Sequence, residues 1–174
     1  AAAMFPMGGA TVIAIRMGRG DKAGANHAFM TAFSLTILLS ALLMVVGMTC
    51  SMQIVDLSGA RKLSAKMREM SAQYLFYYSA FSIPMLMSTC LSVFVRNDGS
   101  PALSFVGMCA GAAANIFLDW LFIFPFDMGI IGAAVASGLG QMFSVLVLLS
   151  HFALKKGVLR FKAFRIDFTL IKKI

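Results

Sequence analysis

Charged residues are scarce in this chain of 174 residues, and acidic residues are the scarcest. Asp, Glu, Lys and Arg make up 13% of the sequence, with seven acids against fifteen bases, whereas a soluble domain usually carries about 25%. Hydrophobic residues make up 60%, and the mean hydropathy is +0.86. This composition excludes a water-soluble globular protein and indicates an integral membrane protein.

Cysteine is also rare, and the residue sets that support catalysis are missing. Cys50, Cys90 and Cys109 lie in separate uncharged stretches without CxxC or Cys/His spacing, so neither a disulfide framework nor a zinc site is predicted. No paired carboxylates, nucleophile with a base, or nucleotide loop occurs at a single membrane depth. We therefore expect no enzymatic activity and no cofactor.

The two ends of the sequence lack the features of a complete membrane protein. The chain opens on Ala1 within a hydrophobic run, without a basic n-region, and stops at Ile174 without a tail. No signal peptide is predicted. We expect an internal part of a longer protein, whose remainder would be its partner.

Long uncharged runs predict membrane-spanning helices, because about twenty apolar residues cross a ~30 Å hydrocarbon layer. The fold class is an all-α polytopic bundle over residues 1–154, with Pro84 expected to kink one span. A short polar helix or loop is expected at residues 61–69, and residues 155–174 predict a basic amphipathic linker. The predicted spans are a partial helix over 1–16 and helices over about 28–50, 74–95, 102–124 and 130–154.

Basic residues are distributed unevenly between the two sets of loops. Residues 16–27, 96–101 and 155–174 together hold eleven Lys and Arg residues, and the opposite loops hold four. The positive-inside rule therefore places the first set in the cytoplasm. Tyr74, Trp120 and other aromatic residues fall toward the opposite, outer interface, in agreement with this orientation. We expect a multi-pass protein of the plasma membrane, in bacteria the inner membrane, whose net charge of +8 reflects topology and not nucleic-acid binding.

Asp119 is the most informative residue, because it is the acid within a predicted span. A carboxylate at this depth costs a few kcal/mol unless it faces a cavity or is protonated, so function is the default interpretation. The alternative is that Asp119 reaches headgroup water at the outer end of its helix. Asn115 lies four residues earlier on the same helix face, which suits an amide–carboxylate pair.

Small residues in two consecutive spans predict close helix contacts. Gly107 and Gly111 form a GxxxG pattern, and glycine and alanine crowd residues 129–140; both are read as packing within one bundle. His27 and His151 stand near helix ends with no obvious partner, so neither is assigned to a site.

Four segments together resemble the multidrug and toxic compound extrusion (MATE) family. The segment Asn115 to Phe124 is similar to the family's NxxLDxxFIF signature on helix five. The other three are Gly18-Arg19-Gly20-Asp21 with Ala25, the loop Arg96 to Pro101, and Gly129 to Ser137 with Gln141, which is similar to a GAAxAT pattern on helix six.

The resemblance implies the N-terminal lobe of a twelve-helix transporter, formed of two six-helix lobes around a central cavity. Such transporters export organic cations and other drugs in exchange for H⁺ or Na⁺. By resemblance, Asp119 and Asn115 match the family's cation-coupling pair. Tyr74, Ser137 and Gln141 are expected in the substrate or hydrogen-bond network, with Ser137 in the place of a threonine.

Two other functions remain open at this point. A lipid-linked oligosaccharide flippase of the same superfamily would move lipid headgroups and ignore cationic dyes. A non-transporting membrane scaffold would use the polar residues only to lock helices together. An intramembrane hydrolase is remote, because no nucleophile–base pair shares one depth.

Overall fold

The computed structural model of the chain describes residues 4–59, 64–154 and 157–161, without the side chains of residues 4–6. These residues form helices and turns, and no strand occurs among them. The helices are α1 (Met4–Gly18), α2 (Lys22–Thr49), α3 (Ser51–Leu57), α4 (Ala65–Ala80), α5 (Ser82–Asn97), α6 (Pro101–Ile123) and α7 (Gly129–Ala153).

Three helices, α2, α6 and α7, are each long and apolar enough to cross a membrane. They correspond to the predicted spans over 28–50, 102–124 and 130–154. Helix α2 begins earlier than expected because the Asp21 side chain caps it, accepting a hydrogen bond from the Gly24 N–H at 2.8 Å. A side-chain cap satisfies a donor that the first turn of a helix leaves unpaired.

The span predicted over 74–95 is a bent pair of helices. Helices α4 and α5 meet at 52° and together qualify as a fourth, broken span. The predicted kink at Pro84 is confirmed, and the break falls at Phe81. Proline has no N–H and its ring clashes with the carbonyl four residues earlier; here that residue is Ala80, the last residue of α4.

The start of this broken span differs from the prediction. Helix α4 begins at Ala65, within the stretch 61–69 expected to be a polar connector, and Ser64 caps it. Arg68 in its first turns makes a two-point ion pair with Asp56 of α3. The cap and the ion pair extend the helix beyond its apolar part.

The centre of the bundle is an aromatic and aliphatic core. The ring of Phe29 on α2 lies 5.2 Å from that of Phe94 on α5, edge to face, and 5.4 Å from that of Phe152 on α7, stacked. Leu91 and Leu148 are fully buried beside them. The core therefore joins three helices that are far apart in sequence.

Large apolar side chains also point outward along the spans. Leu38 is 68% exposed, Ile116 70% and Leu146 63%. Soluble monomers rarely expose apolar surface of this extent. The predicted all-helical membrane fold is confirmed, with exposed apolar surfaces on α2, α6 and α7.

The segment after α7 differs from the predicted surface-lying linker. Residues 157–161 fold back onto the bundle, and Leu159 is 1% exposed within the core. The Phe161 ring packs against the rings of Phe29 and Phe152. Most of the linker predicted over 155–174 lies outside the described residues.

Candidate functional site

Asp119 and Asn115 lie on one face of α6, one helical turn apart and near the end of the helix at Ile123. The Oδ1 atom of Asp119 and the Nδ2 atom of Asn115 are both buried, and neither has a hydrogen-bond partner among the described residues. Buried polar atoms in native proteins are nearly always partnered, and an exception calls for an explanation such as an ion or water. The Asp119 oxygen lacks a donor or cation, and the Asn115 amide nitrogen lacks an acceptor.

The expected amide–carboxylate hydrogen bond within this pair is not formed. Asn115 instead lies against α7 at Gly140, where an added Cβ would stand 2.8 Å from the Cβ of Asn115 and 2.9 Å from the carbonyl oxygen of Gly111. The α7 backbone at Gly140 therefore packs directly against the Cα and Cβ atoms of Asn115. The Oδ1 atom of Asp119 is buried, whereas the residue as a whole is half-buried.

The close approach of α6 and α7 depends on small residues, as predicted. A Cβ at Gly107 would lie 2.8 Å from Leu148, and a Cβ at Gly111 would lie 2.8 Å from the Cβ of Ser144. Such residues let helix backbones approach closely. The glycine packing expected from the sequence is confirmed, and it brings Asn115 against α7.

A cavity of about 490 Å³ opens beside Asn115 and between α5, α6 and α7. Its polar lining includes Gln141, Ser144, Ser88 and Ser92. The Ser88 hydroxyl donates to Oε1 of Gln141. Asn115 and Gln141, both predicted as site residues, therefore line one cavity, and Asp119 is not among its lining residues.

Ser92 and Ser104 join α5 to α6 near the same cavity. The Ser92 and Ser104 hydroxyl oxygens are 2.8 Å apart, and the Ser104 hydroxyl donates to the carbonyl oxygen of Ser92 at 2.9 Å. These contacts satisfy both buried hydroxyls within the protein. Neither serine was singled out from the sequence, because serine is common at packed helix contacts.

The other two predicted site residues lie on separate helices, Tyr74 on α4 and Ser137 on α7. Tyr74 on α4 lies within electrostatic range of the Asp119 carboxylate, and its ring stacks on Tyr78 with centroids 5.7 Å apart. Ser137 lies on α7, half-buried, one turn before Gln141. Its hydroxyl makes no hydrogen bond to the other residues that the structure describes.

A fully buried carboxylate, Asp98, was missed by sequence reasoning. Oδ2 of Asp98 lies 2.9 Å from Nε2 of His151, and both side chains are fully buried. The Val158 N–H donates to Oδ1 at 2.8 Å, and the Leu159 N–H donates to Oδ2 at 3.2 Å. The interpretation that His151 has no partner is therefore wrong, because folding brings it to Asp98 from 53 residues away.

This group, Asp98 with His151 and residues 157–159, is called the clamp below. Gly157 lies so close that a Cβ there would collide with the Asp98 carboxylate and would lie 2.6 Å from Nε2 of His151. The sequence offered little indication of this pair. Asp98 lies in the turn-like run over residues 96–101, and His151 is the ionisable residue of the otherwise apolar span over 130–154.

Further polar contacts gather at the same end of the bundle. The Arg160 N–H donates to Oδ1 of Asn26 at 2.6 Å, and the Asn97 amide donates to the carbonyl oxygen of Ala10 at 3.3 Å. The loops that the charge count assigned to one membrane side thus meet at one end of the structure. No group of three metal-ligating side chains occurs within the described residues.

Comparison with known proteins gives consistent results. The sequence model of the MatE family matches residues 2–121. Over 158 residues the chain is 27% identical to the multidrug export protein MepA of Staphylococcus saprophyticus, covering 90% of this chain and 34% of that protein. MepA of Staphylococcus aureus is 28% identical over 151 residues, covering 86% of this chain and 32% of that protein. The chain thus spans about a third of the length of these relatives.

Solved structures share the fold. The inward-facing conformation of a multidrug resistance MATE family transporter of the MOP superfamily superposes with a TM-score of 0.89 at 22% identity, over 99% of this chain and 39% of that chain. The outward-facing conformation of a MATE family transporter superposes with a TM-score of 0.87 at 22% identity, over 99% of this chain and 38% of that chain. The helix arrangement matches both conformations about equally well.

Proposed function

The chain belongs to the MatE family, as its motifs predicted, and we propose that it forms one lobe of a two-lobe transporter that exports drugs. The proposed substrates are organic cations and other small drug molecules, exchanged for H⁺ or Na⁺ across the bacterial inner membrane. The observation that carries this proposal is the pair of buried, unpartnered polar atoms on Asp119 and Asn115. Ionisable residues within membrane spans mark ion and substrate pathways.

Asp119 is the proposed coupling residue, because its carboxylate can be occupied by a proton or a cation. Asn115 offers an amide on the same helix face and lines the polar cavity of about 490 Å³. Its oxygen can ligate a cation, and its Nδ2 can donate to a carboxylate that has no cation bound. Tyr74 is proposed to contribute its hydroxyl to the same hydrogen-bond network, as the family resemblance implies.

Ser137 and Gln141 are proposed to support this site from α7. Gln141 is held by Ser88, so its amide is positioned at the cavity wall. Ser137 lies one turn earlier and has a hydroxyl that can complete a hydrogen-bond network when an ion or water is present. Their role is positioning, and a small rotation of α7 would change what they contact.

Ion entry would drive export by shifting the lobe between two orientations. A ligand moves such an equilibrium only through its different affinity for the two states. Known transporters of this kind move one bundle against another around a midplane site. The close match of this helix arrangement to both an inward-facing and an outward-facing structure supports movement of the lobe as a unit.

The decisive experiment replaces Asp119 in the complete transporter reconstituted in proteoliposomes. We expect Asp119→Asn to abolish dye efflux driven by a pH gradient or a Na⁺ gradient, because the amide cannot alternate its charge. Asp127→Asn is the matched control, since Asp127 is exposed in the turn between α6 and α7 and should transport normally. Unchanged efflux in Asp119→Asn would refute the coupling role.

A further inference from the structure

Two polar pairs join α5 to α7, and both have the same offset in the sequence. The Ser88 hydroxyl donates to Gln141 at the wall of the cavity of about 490 Å³, and Asp98 lies 2.9 Å from His151 in the clamp. Each pair joins residues that are 53 positions apart. The two helices are therefore parallel neighbours, and ten residues, or about 15 Å, separate the two pairs along both of them.

The pair at the cavity cannot by itself fix the position of α7. The Ser88 hydroxyl also lies 3.0 Å from the carbonyl oxygen of Met85, so its single proton has two competing acceptors. The Gln141 amide is carried on a long side chain and makes no other hydrogen bond to the residues that the structure describes. A rotation or shift of α7 would therefore be resisted only weakly at this point.

The clamp, by contrast, is held firmly on the α5 side. Asp98 directly follows α5, and its own N–H donates to the carbonyl oxygen of Phe94 at 2.8 Å. Its carboxylate accepts the N–H groups of Val158 and Leu159, so it cannot follow His151 if α7 turns. Fixing register is the best-attested use of a buried polar pair. A slip of α7 by one turn, about 5.4 Å, would separate both polar pairs.

We propose that Asp98 and His151 are positioning residues for the cavity, on which they act through α7 from about 15 Å away. By fixing the register of α7 against α5, the clamp places Gln141 in the cavity that Asn115 also lines. Neither clamp residue lines that cavity. This role rests on the proposed function, because it affects transport only if the cavity belongs to the transport pathway.

Two substitutions of His151 separate its hydrogen bond from its packing. A carboxylate only accepts hydrogen bonds, so Nε2 of His151 is the donor to Asp98. His151→Gln retains an N–H group that can donate in its place, whereas His151→Leu has no donor. Nδ1 of His151 has no partner among the described residues, so the glutamine loses no second hydrogen bond. We expect His151→Gln to behave like the unmodified protein and His151→Leu to differ from it.

The first measurement needs no transport. Spin labels on Leu38→Cys in α2 and Leu146→Cys in α7, two exposed positions, report the placement of α7 in the purified complete transporter, in a background without other reactive cysteines. We expect a narrow distance distribution with the native histidine and with His151→Gln, and a shifted or broadened one with His151→Leu. An unchanged distribution with His151→Leu would overturn the proposal.

A milder variant keeps this test decisive if His151→Leu does not fold. Gly157→Ala crowds the clamp but retains both of its polar partners. It should shift or broaden the same distance distribution to a smaller extent. A folded Gly157→Ala protein with an unchanged distribution would contradict the proposal in the same way.

The second measurement is the apparent KM for efflux of the cationic dye ethidium from proteoliposomes. We expect His151→Leu to raise this KM by about fivefold, and His151→Gln to leave it within twofold of the unmodified value. Adding Ser88→Ala to His151→Leu should change it little further, because both substitutions release the same Gln141.

Multiplied effects of the two substitutions would show that the clamp acts on stability alone, and the proposal would then be wrong. If the unmodified protein exports no ethidium, the proposed function fails, whereas the spin-label distances still decide whether the clamp sets the register of α7.

Discussion

Two aspartates of this bundle, the buried Asp98 and the half-buried Asp119, differ in what surrounds them. Asp98 receives two main-chain N–H groups and pairs with His151, whereas Oδ1 of Asp119 has no partner among the described residues. Removing one partner from a buried, hydrogen-bonded pair leaves the other partner unsatisfied, so Asp98 is held in the folded structure by its contacts. The unpartnered Oδ1 of Asp119 can accept a cation or a proton. Aspartate therefore has a structural role at position 98, in the clamp, and a proposed functional role at position 119, within the predicted span.

Removing the Asp98 carboxylate should lower the free energy of unfolding more than any other change, and removing the Asp119 carboxylate should barely change it. We expect Asp98→Ala to lower the free energy of unfolding by about 3–5 kcal/mol, because it leaves His151 and two buried N–H groups unpaired. Asp119→Ala should change it by less than about 1 kcal/mol, since no protein hydrogen bond is lost. Equilibrium unfolding in detergent micelles measures both values.

Glu69→Ala, at an exposed acid within helix α4, serves as the control for this pair of variants. If Asp119→Ala destabilised the protein as much as Asp98→Ala, the distinction between a structural and a functional carboxylate would not hold.

An intermediate loss of stability should follow when a methyl group is added inside the clamp without a change of charge. Gly157→Ala places a methyl group against Asp98 and His151, and overpacking of this kind costs about 1–3 kcal/mol. Gly18→Ala is the matched control, since nothing lies within 4 Å of the added methyl group there. Thermal unfolding of the two variants compares them directly, and equal Tm values would contradict the tight packing of the clamp.

The smallest loss of stability should come from breaking the hydrogen bond between Ser88 and Gln141, which line the cavity of about 490 Å³. Ser88→Ala removes the donor to Gln141 and should cost about 1 kcal/mol, the net value of one hydrogen bond. Ser58→Ala, which removes an exposed hydroxyl bonded to Ile54, should cost less. Efflux assays on the same variants should show a reduced rate for Ser88→Ala, because Gln141 loses its fixed position, and a normal rate for Ser58→Ala.

Composition and the spacing of charged residues were sufficient to predict the helical bundle itself. Uncharged runs located α2, α6 and α7, and Pro84 located the bend between α4 and α5, because each depends on local chemistry. The start of α4 was misplaced because Ser64 and the Arg68–Asp56 ion pair extend the helix beyond its apolar part. An apolar run locates the membrane portion of a helix and not its ends.

The site was predictable only in part. The position of Asp119 within an apolar run identified it, and the i, i+4 spacing placed Asn115 on the same face. The spacing also suggested a hydrogen bond between them, which the fold does not form, because Asn115 turns to the cavity beside α7. Cavity walls come from several helices, so Ser88 and Ser92 carried no signal in their own segments.

The sequence alone determined that this protein is a membrane-embedded helical bundle with an acid in one span, because hydropathy and charge act locally along the chain. Only the tertiary structure decided which acid is paired and which is not. Asp98 meets His151 and the backbone of residues 158 and 159 through contacts more than fifty residues apart. Such pairings depend on how helices pack, and no pattern within a single helix encodes them.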